Sequence, residues 1–199
     1  MDVPGDALAT MVAEWQIRNV VARYARAVDR RDGDLVRGCF HPEAVTHFGV
    51  FDGTLDEFVP WVLAEVSRYT RTMHFLGPTI IDWPAGGPGS CAVAETYAIA
   101  LHRKDGGEQS HNWVSGIRYV DRFESRTDSG SGGSWKIVER TVVGEWLSID
   151  PTAGHRRFGK AMPTGRGACD DVVFQVLAEA FAPSTGNRPG SPGGRDPAA

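Results

Sequence analysis

Three side chains suited to proton chemistry and one fixed cation stand where an apolar residue would be ordinary in this 199-residue sequence. His74 is the centre of "RTMHFLG", between Met73 and Phe75. Tyr24 and Asp29 lie near the end of a long helical pattern, and Arg140 sits inside the β-branched run "VERTVV". Imidazole, with a reference pKa of about 6.5, takes up a proton near neutrality. A carboxylate can fix its tautomer and stabilise the imidazolium that forms. A phenol or a guanidinium can stabilise negative charge developing on a substrate.

Each residue also has a structural alternative. A lone strand histidine is ordinarily a hydrogen-bonded core residue. Asp29 can simply favour a helix end or pair with a nearby arginine. Five residues separate Tyr24 from Asp29, roughly 140° round a helix, so they flank a face that holds Ala25 and Val28. A buried Arg140 needs a carboxylate or a substrate oxygen. The alternatives are an exposed face of a sheet, or pairing with Glu95 or Glu139.

Other chemistries lack support. No metal motif, phosphate-cradling loop or G-x-S-x-G is present. The three cysteines, Cys39, Cys91 and Cys169, are scattered and form no C-x-x-C, as expected of reduced, mostly buried thiols in a cytoplasmic protein. With a net charge of −4 and no basic block, nucleic acid is not an expected partner. No apolar run approaches the length of a membrane span, and the N-terminal residues do not resemble a secretory leader. His102 and His111 bracket the turn "RKDGGEQS" and are expected to be exposed. The arginines of "RYVDRFESR" read as a solvated face. Trp61, Trp113, Trp135 and Trp146 read as core or interface.

The elements that must position these groups follow from periodicity. Residues from about 6 to 30 form a helix, with Leu8, Met11, Val12, Trp15, Val20, Val21, Tyr24 and Val28 recurring at steps of three and four. Asp32 or Asp34 can cap a short second helix. Pro42 and Asp52-Gly53 punctuate a short strand and its turn. Thr54 and Glu57 form a capping box for a third helix in which Phe58, Trp61, Val62, Val66 and Tyr69 share a helical spacing. Pro60 near its start is tolerable. Four strand-like stretches then run from about residue 71 to 150, joined by Gly-rich turns. Helices first and strands later predict an α+β fold, with helices packed on one face of an antiparallel sheet. After residue 150 the pattern weakens, and one amphipathic helix is expected near 170–182. The Pro- and Gly-rich end at 184–199 reads as a disordered tail.

Four pieces in this order carry a family resemblance: "VVARYARAVDRRDGDLVRGCFHPEAVTHFGVFDG" (20–53), "TMHFLG" (72–77), "AETYAIALHR" (94–103) and "IRYVDRFE…WKIVERTVVGEW" (117–146). Together they resemble the SnoaL-like branch of the nuclear transport factor 2 superfamily. The resemblance covers about residues 10–150, so a domain is expected over residues 1–150, with a C-terminal extension over 151–183 and then the tail. It implies a cone: about three helices against a strongly curved, mostly antiparallel sheet that encloses a pocket. The branch includes dehydratases similar to scytalone dehydratase and bile acid 7α-dehydratase, a dehydrochlorinase, polyketide cyclases and steroid isomerases. In the dehydratase-like members an Asp at the end of the first helix orients a strand His, and this implies Asp29 and His74. Tyr24 and Arg140 match a pocket tyrosine and a pocket arginine. Phe48, Val28 and Trp61 are expected to line the substrate pocket. Phe48 stands where the dehydratases carry a tyrosine that polarises a carbonyl or leaving group, and His47 should point to the opposite face of that strand.

The expected activity is that of a cofactor-independent lyase or isomerase acting on a hydrophobic polyketide-, terpenoid- or steroid-like molecule. A non-catalytic binding module, or a cyclase or epoxide hydrolase using the same pocket, remains the alternative. A homodimer or homotrimer is expected through the outer face of the sheet, with Trp113, Tyr119, Trp135 and Trp146 as its aromatic residues.

Overall fold

The computed structural model describes residues 5–84, 89–106, 110–127, 133–151 and 171–181. Three helices precede the four long strands. They are α1 (Gly5–Arg30), α2 (Gly33–Gly38) and α3 (Leu55–Ser67), with two short strands, β1 (Phe40–His47) and β2 (Asp52–Thr54), between α2 and α3. Four long strands follow: β3 (Arg71–Asp82), β4 (Cys91–Lys104), β5 (His111–Arg126) and β6 (Ser134–Pro151). The sheet order is β2-β1-β6-β5-β4-β3. Only β1 and β6 are parallel, and every other pair is antiparallel. The sheet curls round the helices without closing, which makes this an α+β cone. No helix among the described residues is long and apolar enough to cross a membrane.

Local signals set most element ends. Asp32 caps α2, its side chain accepting from the Leu35 N–H at 2.9 Å. Thr54 and Glu57 form the capping box of α3, which runs through Pro60. The turn between β1 and β2 is displaced from the expected Asp-Gly. Asp52 and Gly53 belong to β2, and the reversal occurs at residues 48–51. There Gly49 takes φ +73°, and the Phe48 N–H bonds the Phe51 carbonyl at 2.7 Å. Glycine reaches that left-handed backbone region without a Cβ clash.

One expectation about α1 fails. Ala13, Ile17, Val21, Tyr24 and Val28 form the buried stripe, whereas Leu8, Met11, Val12 and Trp15 are exposed, Trp15 by 65%. Trp15 and Ile17 are two residues apart, roughly 200° round the axis, so one face cannot hold both. The tail at 184–199 lies outside the described residues, as does most of 151–170. The helix expected near 170–182 is present as α4 (Val172–Ala180), tied to α1 by an Arg30–Asp171 ion pair at 3.0 Å.

Strand parity explains the hollow inside the cone. The inward residues of β4 are Ala92, Ala94, Thr96, Ala98, Ala100 and then His102, while Val93, Tyr97 and Ile99 point outward and are exposed. A stripe of alanines cannot fill the space between sheet and helices. At one end α1 and the core fill it, and at the other a cavity remains. A bulge between β5 and β6, where Gly116 pairs with Trp146 and Ile117 with Gly144, shifts the parity of β6. It places the Trp146 indole over Gly116, where a Cβ would come within 2.2 Å of the ring nitrogen. Of the aromatic residues expected on the outer face, Tyr119 and Trp135 are instead buried in the core cluster and Trp113 lines the cavity. All three occupy the inward-pointing positions of their strands.

Candidate active site

The end of α1 delivers Asp29 to the start of β3, where one carboxylate receives three donors. The His74 ring Nδ1 lies 2.7 Å from Oδ1, the Thr72 hydroxyl 3.1 Å from Oδ1, and the His74 backbone N–H 2.9 Å from Oδ2. Burial alone would push the Asp29 carboxyl up. The hydrogen bonds and charge of His74, with the Thr72 hydroxyl, outweigh it and hold the group below the usual carboxylate range. An ionised Asp29 can only accept, so Nδ1 of a neutral His74 carries the proton. Nε2 is then the ring nitrogen without a proton, and His74 is one of the residues that line the cavity.

That cavity has a volume of about 740 Å³. Its walls include Phe48, Trp61, Val62, Val66, Ile117, Val142 and Leu147, with polar groups from Tyr24, His74, His102, Ser115 and Tyr119. Register places His74 opposite Ala100, Ala100 opposite Ser115, and Ser115 opposite Leu147, one inward row across four strands. Phe48 packs on Phe58 and Trp61 at 5.1 and 5.6 Å between ring centres, part of an apolar wall completed by Phe51.

The structure brings together His74, Asp29, Tyr24, Phe48 and Trp61 of the residues singled out in the sequence. Two are placed differently. Val28 does not line the cavity, because it continues the Ile17–Val21–Tyr24 stripe of α1 into the packed core. Arg140 does not line it either. It is fully buried, and its Nε and Nη2 each lie 2.6 Å from an oxygen of Asp121. Its guanidinium is held between two tyrosine rings, 3.9 Å from the centre of Tyr24 and 4.3 Å from that of Tyr119. The Nη1 of Arg140 has no hydrogen-bond partner among the described residues. Burial pushes the Tyr24 phenol up to about 12 against the opposing pull of Arg140, and it pushes Tyr119 well above its ordinary value. Both phenols are therefore protonated donors at neutral pH.

Two residues were missed. Asp121 lies among arginines that do form a solvated face, with Arg118 on Glu95 and Glu145 and Arg122 on Glu124 and Glu139. It shares the inward parity of Tyr119 and Phe123, and that alternation was the available signal. His102 was expected to be exposed and instead lines the cavity. Its ring stacks on Tyr69 at 4.8 Å and meets the His74 ring edge-on at 5.7 Å. Its buried Nδ1 has no partner among the described residues. Burial, with the charge of His74 adding to it, lowers the His102 imidazole to about 4. Its place as the last inward residue of the β4 alanine stripe is the signal that the turn composition obscured.

Solved structures resemble this architecture at low identity. A hexachlorocyclohexane dehydrochlorinase, LinA type 3, from Novosphingobium barchaimii matches with a TM-score of 0.62 at 14% identity, over 76% of this chain and 98% of that one. A candidate scytalone dehydratase from Novosphingobium aromaticivorans matches at 0.59 and 17%, over 79% and 96%. A protein of unknown function from Mycobacterium tuberculosis, solved as an Asp-to-Asn variant, matches at 0.60 and 17%, over 72% and 78%. No curated protein sequence matches significantly. A sequence profile of the SnoaL-like domain matches residues 9–141, well over half the chain. The cone, its cavity and that match together show that this chain belongs to the SnoaL-like domain family.

Proposed function

We propose that this protein is a cofactor-independent lyase or isomerase of hydrophobic small molecules, with His74 as general base and Asp29 as the residue that orients it. The observation that carries the reading is the 2.7 Å contact from His74 Nδ1 to an ionised Asp29, in a histidine that lines the cavity. In the step proposed, Nε2 takes a proton from a carbon next to a carbonyl or opposite a leaving group. The C–H electron pair becomes a carbon–carbon π bond. In an elimination the leaving group departs with its own electron pair. In an isomerisation the proton returns at a different carbon. Asp29 stabilises the imidazolium, as the carboxylate does in a catalytic triad, and catalysis of this type is worth roughly 10²–10⁴-fold.

Tyr24, whose ring reaches the cavity, supplies a hydroxyl to the oxyanion or leaving group, and Arg140, paired with Asp121, braces that ring from behind. Cavity walls rich in Phe48, Trp61 and Val142 suit polyketide-, terpenoid- or steroid-like substrates. The test is to incubate the protein with a panel of such carbonyl compounds. Mass spectrometry would follow loss of water or halide, and uptake of solvent deuterium at carbon. Asp29→Asn and His74→Ala should each abolish turnover with the fold intact by circular dichroism. Full activity in both variants would sink the dyad.

A second reading draws on Phe48, which puts an apolar ring where dehydratases of the branch carry a phenol. It favours a small-molecule-binding module, or a cyclase or epoxide hydrolase, built on the same cavity. An NMR signal for a His74 ring N–H bonded to carboxylate supports the base, and its absence supports the binder. A homodimer or homotrimer is part of the proposal. Met73, Phe75, Tyr97, Ile99 and Trp146 are the exposed apolar residues on the sheet's outer face that would be covered.

A further inference from the structure

The charges around the cavity are matched within the chain. Of the lining residues, Glu65 and Arg68 bond each other at 2.8–2.9 Å, and Glu145 receives Arg118 at 2.6 Å. A further cation, Arg140, lies against two rings that line the cavity, Tyr24 and Tyr119. Alone in so dry a setting, a guanidinium would draw an anionic ligand towards it, because Coulomb interactions strengthen as the local dielectric falls. It is not alone. Asp121 and Arg140 are a directly opposed cross-strand pair, and the carboxylate meets the guanidinium with two parallel contacts of 2.6 Å. Bidentate contact between wholly buried groups cancels most of the field that either would project. On the far side of Asp121 the partner in register is Ala94, whose small side chain leaves room for the carboxylate.

We propose that Asp121 is a specificity-determining residue: by neutralising Arg140 behind the tyrosine wall, it makes the cavity select uncharged ligands over carboxylates of the same shape. The proposal rests on reading the cavity as the substrate site, and it does not depend on the dyad. The Asp29 carboxylate is engaged by three donors from Thr72 and His74 and is not among the residues that line the cavity. The recognised molecule is therefore an apolar skeleton with a neutral polar end, such as a ketone, ester, alcohol or halide.

The test is calorimetric titration of the full-length protein at pH 7 with three probes on one ring system: methyl 2-naphthoate, 2-naphthoate and 2-naphthylmethylammonium. The ester is expected to bind at least ten-fold more tightly than either ion. Equal or tighter binding of the acid or the amine overturns the proposal, and so does failure of the ester to bind up to its solubility limit. Asp121→Asn, which leaves Arg140 uncompensated, should shift the ester-to-acid ratio at least ten-fold towards the acid. Where that variant does not fold, the double variant Asp121→Leu/Arg140→Met removes both charges and should keep the wild-type ratio. A ratio that moves in the double variant means that Arg140 acts as a free charge, and the proposal falls. Binding is read without turnover, so an inactive dyad leaves these ratios standing, and altered ratios leave the dyad test standing.

Discussion

Acidification from pH 7 to 4.5 should remove stability through one imidazole, His102. Its folded value of about 4 lies well below the 6.5 reference. Between those values an unfolded chain binds a proton that the folded chain refuses, so stability rises with pH across the window and falls as pH is lowered. Above about pH 7 the contribution is flat, and below about 4 the loss is complete. At about 1.4 kcal/mol per pH unit, the span from 6.5 to 4.5 corresponds to roughly 3 kcal/mol as an upper figure. Water at the cavity mouth would reduce that to about 2 kcal/mol, still a large share of a typical domain's stability. The Asp29 carboxylate, held low by His74 and Thr72, loses its contribution only at more acidic pH, so the two windows separate. The assay is urea denaturation followed by tryptophan fluorescence from pH 7.5 to 4.5, on wild type and on His102→Phe and His102→Asn. Both variants lack the titrating ring, and Phe keeps the stack on Tyr69. Their loss of stability over the window should be smaller than the wild-type loss by about 2 kcal/mol. A wild-type loss that persists undiminished in both variants refutes the argument, because the other histidines are common to all three proteins.

Asp29→Asn should lower turnover by about 10⁴-fold, because an amide at that position can present the wrong tautomer of His74. The companion measurement is a ring ¹⁵N spectrum showing the His74 proton moved from Nδ1. Asp121→Leu alone strands a buried cation and should destabilise the fold by about 3–5 kcal/mol in chemical denaturation, whereas Asp121→Leu/Arg140→Met should be near neutral. Ala100→Leu, opposite His74 on the cavity wall, should weaken binding of methyl 2-naphthoate at least ten-fold with about 1 kcal/mol or less of lost stability.

The sequence reveals those features whose signals are local and hides those that depend on register. The Thr54–Glu57 capping box and the four long strands are visible because caps and alternation are short-range patterns. His74 is legible as a base only beside Asp29, and their meeting 45 residues apart in sequence came from family resemblance rather than from spacing. Arg140 is legible as a cation in a strand, but its partner is not. Glu95 and Glu139 look equally available, yet the pairing of β5 with β6 puts Asp121 directly opposite it. Glu95 meets Arg118 instead. His102 is hidden by the polar turn that follows it, though it ends the same alanine stripe that empties the cavity. In α1 the 3.6 period is present throughout, but periodicity alone cannot say that the face of Leu8, Met11 and Trp15 turns away from the sheet.

The double attachment of Asp29 to His74 reaches beyond the chemistry of the cavity. β3 is one of the sheet's two border strands, and a border strand's unpaired amides and carbonyls invite another chain to add on. Here α1 lies along that border. Asp29 takes the His74 amide, and Arg18 gives a hydrogen bond to the Thr79 carbonyl. The carboxylate that sets the histidine's tautomer is thus also a latch against strand addition. The proposed proton chemistry and the colloidal behaviour meet in one side chain, so redesign of this pair has to supply a new guard for the strand as well as a new partner for the histidine.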